Sequence, residues 1–328
     1  MTYTNFLNGV ASFGVPMVNG VWTNGNAWFA QPGSGTIGSD GNTATSANTP
    51  CATVSNALSL AAAGNNDCIY LIGSSDTASQ TSDYYGSTLT WNKDFTHLVG
   101  INAGPRNSQR SRISTLSTAN GANLAPLFSL TANDCHFENI EFFAAAPGSN
   151  PTQALGCMLI SGERNVFKNC QISGVGTASM DAAGQYSLKV TGQENYFEDC
   201  QIGLDTITRS SATYEMYMSG GAVRNLFRRC RIVTSAGANT MTFLTVPTNG
   251  IDRWNMFEDC IFINVPAGGV AGATPLTQGF SITGGGSPDG CILLKDCKFV
   301  GMAASESSAS SRLYYYANGT GKMVDTAF

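Results

Sequence analysis

Four carboxylates in this chain of 328 residues stand where a pair could share work across a surface: Glu198, Asp199, Glu258 and Asp259. Glycosidic hydrolysis uses two carboxyl groups facing one cleft. If these pairs lie two strands apart in a parallel stack they are about 9.6 Å apart, within the range inverting enzymes use. Arg228 and Arg229 fall between them, however, and ion pairing is the simpler account of the same residues. The two histidines, His97 and His136, sit in the strand-like segments THLV and CHFE, without a serine or acid in a triad-like context, and are read as structural. The ten cysteines include no CxxC pair, and Cys291 and Cys297 have no histidine neighbour, so no zinc site is expected. Glycines 284–286 precede no Lys-Ser/Thr and form a turn rather than a phosphate loop. The expectation is a protein with no catalytic, cofactor-binding or metal-ligating residues, and not an enzyme.

The cysteines acquire a meaning from their spacing. Cys170, Cys200, Cys230 and Cys260 are thirty residues apart, in NVFKNCQI, NYFEDCQI, NLFRRCRI and NMFEDCIF. CHFENIEF upstream and ILLKDCKF downstream place Ile140 and Cys297 in the same column, giving six units that degenerate at both ends, as solenoid repeats do. Each unit is preceded by an apolar alternation ending in a turn, such as CMLISG or SLKVTG, which reads as a strand. Phe and Cys are an odd number of residues apart, so both can face inward only if the chain bends between them. Each unit is therefore strand, turn ending at Asn, strand, corner, strand and long loop. Such a unit must pair with those above and below it, at about 4.8 Å per rung.

The expected fold is all-β, a right-handed single-stranded parallel β-helix of eight or nine rungs, roughly 40 Å long. Asn165, Asn195, Asn225 and Asn255 should form a ladder at one turn. Phe137, Phe167, Phe197, Phe227, Phe257 and Leu294 should stack inward. The next column, Glu138, Lys168, Glu198, Arg228, Glu258 and Lys295, alternates in sign, which favours one register over its slips.

The boundaries expected are an N-terminal arm at 1–32, a loop and capping helix at 33–66, the β-helix at 67–302, and a linker with a terminal element at 303–328. The helix is placed at residues 50–63, with Thr49 as its cap and Pro50 in its first turn. The apolar residues Phe6, Leu7, Val10, Phe13, Val15 and Trp22 of the arm have no partner in the repeat, so they are the expected attachment surface.

Charged residues make up 12% of the chain, against roughly 25% in an average soluble domain. Gly, Ser, Thr and Asn replace them, which favours strands and turns over exposed helices. A net charge of −5 without a basic stripe argues against nucleic acid as a partner. No run approaches eighteen apolar residues, so no membrane span is expected, and the N-terminus has no positive region or apolar run of a secretory leader. Synthesis in a cytoplasm would keep the thiols reduced.

The opening TNFLNGVASFGVP, the stretch GSDGNTATSANTPCATVSNALSLA leading into CIYLIG, and the F-x-x-C-x-I rungs together resemble β-helix virion proteins of tailed bacteriophages. The resemblance covers nearly the whole chain, with its distinctive part in the first third. It implies a capsid-decorating or fibre-like virion component, a homotrimer attached through its N-terminal arm to the major capsid protein or another virion protein. Its alternative is a tailspike that binds or depolymerises a host surface glycan.

Overall fold

The computed structural model describes residues 10–12, 15–18, 21–22, 25–33, 37–73, 82–101, 111–116, 125–145, 156–211, 213–265, 275–283, 290–304 and 312–316. Strands of two to nine residues are too short to persist alone. Those of the repeat therefore pair with their equivalents one rung away and line up in parallel sheets of ten, eight and seven strands. The ten-stranded sheet runs from Ala27–Ala30 to Leu313–Tyr316 and spans roughly 43 Å at the usual strand spacing. Successive parallel strands joined through the other two sheets make one right-handed coil. A separate antiparallel sheet of three strands, Val10–Ser12, Val15–Val18 and Val21–Trp22, precedes it.

The expected columns are in register. Phe137, Phe167, Phe197, Phe227 and Phe257 are direct partners on successive strands, fully buried, with ring centroids 4.4–4.8 Å apart. Leu98 and Leu294 close the column at its two ends. The bend needed between Phe and Cys falls on Asn139, Asn169, Asp199, Arg229, Asp259 and Asp296, each with φ between 47° and 62°. That left-handed conformation suits Asn and Asp better than other residues with a Cβ, which explains five of the six. Beyond it the chain turns inward again at Ile140 and the cysteines.

Each cysteine of the column bridges two rungs as a donor. Cys200 Sγ lies 3.5 Å from Phe167 O and 3.3 Å from Glu198 O, and Cys230 and Cys260 repeat the pattern. Burial pushes the thiols of Cys170 and Cys230 well above their usual range, so they stay protonated. Titration of the denatured, unreduced protein is expected to find all ten thiols free. A count of half or fewer would contradict this.

The asparagine ladder lies inside the turn. Asn195 Oδ1 accepts from the backbone N and from Nδ2 of Asn165, at 3.0 and 3.1 Å, while its own Nδ2 donates to Gly162 O and Asn225 Oδ1, both at 3.1 Å. Asn165, Asn225 and Asn255 continue it, all with zero exposure.

Both ends of the β-helix differ from expectation. Ala27–Ala30 is not part of an arm ending at residue 32. It pairs in parallel with Asp67–Leu71 as the first strand of the shaft. Asp67 fixes it there, accepting from Asn26 N at 2.7 Å, Trp28 Nε1 at 3.1 Å, Ala62 N at 2.8 Å and Asn65 Nδ2 at 2.7 Å. These donors outweigh the cost of burial and hold the Asp67 carboxyl below its usual range. At the other end Leu313–Tyr316, expected beyond a linker, extends the ten-stranded sheet beside Cys291–Lys295.

The helix is shorter than expected, Val54–Leu60, and Thr53 rather than Thr49 caps it, accepting from Asn56 N at 3.1 Å. Residues before it remain tied to the first strand, with Cys51 N donating to Phe29 O at 2.9 Å, so Pro50 stays outside the helix. Val54, Ala57 and Leu58 join the main core. Neighbouring rungs hold both helix ends. Asp83 Oδ2 accepts from Val54 N at 2.7 Å, and Lys93 Nζ donates to Leu58 O at 2.7 Å and Ser59 O at 2.9 Å.

Burial, against hydrogen bonds from Tyr85 and Val54, raises the Asp83 carboxyl from 3.8 to about 6, and Asp40 nearby adds to the rise. A raised carboxyl favours folding while protonated, so its contribution is full below pH 3.8 and is lost as pH rises through 6. Asp83→Asn should flatten this fall, measured as thermal midpoint against pH. An unchanged profile would remove Asp83 as its source.

Candidate functional site

Of the four carboxylates singled out by sequence, Glu198, Asp199 and Glu258 are ion-paired. Glu198 and Glu258 face outward from the ten-stranded sheet, and Asp199 and Asp259 occupy its corner. Glu198 lies 2.8 Å from Arg229 and 3.5 Å from Lys168. Asp199 accepts from Arg229 through both oxygens, at 2.8 Å each. Glu258 is held by Arg228 at 3.6 Å and by Lys295. Partial burial opposes ionisation of Glu198, yet hydrogen bonds from Tyr196 and Arg229 hold its carboxyl below the usual range, and the Arg229 bonds do the same for Asp199. Such groups are poor proton donors at neutral pH.

A second alternating column, missed in the sequence, lines the other corner of this sheet: Asp134, Arg164, Glu194 and Arg224. It was readable, since the last three immediately precede the ladder asparagines.

The histidines are neighbours. His97 Nδ1 accepts from His136 N at 3.1 Å, and His136 Nε2 lies 3.0 Å from Glu138. Burial, with His136 beside it, lowers His97 to about 4, so it is neutral near pH 7. Among the described residues no three His, Cys, Asp or Glu side chains stand close enough to hold a metal ion. Of the attachment residues, Val10, Val15 and Trp22 lie on the antiparallel strands. Phe6, Leu7 and Phe13 fall outside the described residues.

The connectivity marks a different face. Only two residues separate the ten-stranded from the eight-stranded sheet at each central corner, as between Lys168 and Gln171. From the eight-stranded to the seven-stranded sheet the connections are longer, with twelve residues between Ser173 and Tyr186 and fifteen between Asn264 and Phe280, against four between Arg209 and Tyr214 and five between Ala236 and Thr242. The strands are parallel, so these connections all leave from one edge of the eight-stranded sheet. Loops on a rigid scaffold are where binding residues concentrate.

A buried ion pair sits where the chain passes from the eight-stranded to the seven-stranded sheet. Glu215, with zero exposure, is bonded by Arg209 and accepts from Ser187 Oγ at 2.6 Å. Arg209 Nη2 also donates to Gln185 O and Tyr214 O, at 3.1 and 3.0 Å. Gly203, at φ 93°, leaves room for the pair, because a Cβ there would come within 3.0 Å of the Glu215 carboxylate.

On the outward face of the eight-stranded sheet one row runs Arg112, Glu141, Gln171, Gln201, Arg231, Ile261 and Lys298, one residue per rung. Its beginning is closed. Glu141 is 1% exposed and bound by Arg112 at 2.6 and 3.3 Å, and the Arg112 guanidinium sits 5.0 Å from the Phe143 ring centre. From Gln201 onward the row opens, with Gln201, Arg231 and Ile261 half-buried and Lys298 exposed. The parallel row two residues on holds Val233, which is buried, Ile263, which is half-buried, and Val300, 53% exposed. The open stretch thus sets polar and charged groups beside aliphatic ones along a straight line.

Together the three parallel sheets define a parallel β-helix. No protein-family model matches the chain, and no curated protein is similar to it. Solved structures are. A pectin methylesterase in complex with a hexasaccharide is 14% identical, with 92% of each chain covered and a TM-score of 0.53. Pectate lyase Pel9A is 16% identical over 85% of this chain and 64% of its own, with a TM-score of 0.54. A rhamnogalacturonan lyase is 14% identical over 84% and 68%, also at 0.54. At these identities the likeness is one of fold.

Proposed function

We propose that the protein binds an extended polysaccharide along the outward face of the eight-stranded sheet, here called the groove, as a tailspike-type host-glycan-binding β-helix. The observation that carries this is the open row from Gln201 to Lys298, which offers one side chain per rung at a spacing near that of a sugar ring, beside Ile263 and Val300. Glutamine and arginine bond hydroxyls, and the aliphatic row takes the apolar ring faces. The similar proteins are named for pectin, pectate and rhamnogalacturonan, and one is held with a hexasaccharide. That supports glycan handling over the capsid-decorating role that the first third of the chain resembles. Binding rather than cleavage is the reading, because Glu141, Glu198 and Glu258 are all ion-paired.

Calorimetry of the full chain against a panel of bacterial capsular and lipopolysaccharide glycans tests this. A glycan that binds should lose about tenfold in affinity, about 1.4 kcal/mol, on Gln201→Ala, with the thermal midpoint unchanged. Affinity unaffected by Gln201→Ala, or lost instead on Tyr196→Ala on the ten-stranded sheet, would contradict the placement. Release of saccharide fragments would make the protein a depolymerase.

A second reading concerns attachment. Among the described residues the strands between Val10 and Trp22 pair only with one another, which favours a separate module that holds the protein, as a trimer, on a virion. Because Asn26 and Trp28 bond to Asp67, the module ends before the shaft begins. Deleting residues 1–24 should abolish particle binding and leave the thermal midpoint nearly unchanged, whereas deleting 1–32 should lower it. Particle binding retained by the shorter deletion would move attachment to the shaft.

A further inference from the structure

We infer that the groove selects a carboxylated glycan, with Arg231 and Lys298 as the residues that read its negative groups; this rests on the glycan-binding reading above. The described arginines around the shaft are largely committed. Arg112 holds Glu141, Arg164 holds Asp134, Arg209 holds Glu215, Arg224 holds Glu194, Arg228 holds Glu258, and Arg229 holds Asp199 with Glu198. Among the described residues Arg231 has no carboxylate partner, although it is half-buried in the middle of the open row, and Lys298 has none two rungs further on.

Two uncompensated cations on one strip run against the character of the chain, whose net charge is −5. The acid of the row itself is spent, Glu141 being neutralised by Arg112, and the buried Glu215 on the adjoining sheet is held by Arg209. At the adjoining corner Asp199 is taken up by Arg229, while Asp259 and Asp296 stand at the positions two residues before Ile261 and Lys298.

The two cations differ in what they offer. A guanidinium presents a planar fork that matches a carboxylate through two parallel hydrogen bonds, and half-burial of Arg231 strengthens such a bond. An ammonium on an exposed stem acts as a point charge, screened by salt. Their strands are two rungs apart, about 9.6 Å along the shaft. Negative groups on alternate units of an extended chain would meet both, with Ile261 between them against a sugar face. A carboxylated sugar is favoured over a sulfated or phosphorylated one by the geometry of the arginine.

The test uses matched ligands. Oligogalacturonates, and uronate-containing capsular oligosaccharides from the panel, are compared with the same molecules after their carboxyl groups are reduced to alcohols. Binding to the full chain should weaken at least tenfold on reduction. Arg231→Gln should remove most of that difference, and Lys298→Gln should lessen both the difference and the salt dependence, each with an unchanged thermal midpoint. Equal affinity for native and reduced forms, with Gln201→Ala still impairing both, would overturn the carboxylate preference and leave the glycan-binding groove standing. Stronger binding to sulfated or phosphorylated glycans than to uronates would likewise overturn it. If no native, reduced or panel glycan binds, the groove reading itself fails, and this inference with it.

Discussion

Replacing Asn195 with leucine is expected to lower stability by about 4 kcal/mol, measured as equilibrium urea unfolding. The substitution keeps the shape and removes every polar contact. Four hydrogen bonds disappear, stranding the backbone N of Asn165 and the carbonyl of Gly162, while Asn165 Nδ2 keeps Ala132 O and Asn225 Oδ1 keeps the Asn195 backbone N. Each such group costs about 1–3 kcal/mol when stranded, partly relieved by local relaxation. Asn255 lies at the end of the ladder and accepts only from Asn225 within it, so Asn255→Leu should cost less. Equal and small losses at both positions would show that the turn holds without the ladder.

Phe197→Ala is expected to cost between about 3 and 5 kcal/mol, as loss of a large fully buried ring does. Its ring lies 4.8 Å from that of Phe167 and 4.4 Å from that of Phe227, within 6° of parallel to each, so truncation opens a void with packed rings above and below. Backbone hydrogen bonds fix the rungs at about 4.8 Å, which prevents the neighbours from closing the gap. Phe197→Leu should cost much less, because Leu98 and Leu294 already occupy the same column. If alanine and leucine were equally tolerated, the stack would be an incidental result of the repeat.

The central rungs were legible because a solenoid writes each contact at a fixed interval. Residues thirty apart are direct neighbours, so Cys170 to Cys260 and Asn165 to Asn255 announce their stacking without any pair prediction. The ends were not legible for the same reason. Ala27–Ala30 carries none of the marks of the repeat, and its partner lies about forty residues away across an inserted helix. Leu313–Tyr316 similarly joins a strand it does not resemble. The contacts of Asp67, Asp83 and Lys93 that fasten the first rungs also cross tens of residues between dissimilar segments, and nothing periodic points to them.

The groove was half visible. Gln171, Gln201 and Arg231 follow the cysteine column directly and share its period. What a strand sequence does not carry is which outward face lies beside the long loops, since polar outward positions read alike on all three sheets. That distinction came from the topology, and it moved attention from Glu198 and Glu258 to the row between Gln201 and Lys298.

A crystal structure of the protein with a bound oligosaccharide from the panel tests the central claim most directly. The account predicts a glycan lying along the shaft over the eight-stranded sheet, with successive sugars against Gln201, Arg231, Ile261 and Lys298. A glycan seated instead on the ten-stranded sheet against Tyr196, Leu226 and Arg228, or at the end of the shaft, would contradict it.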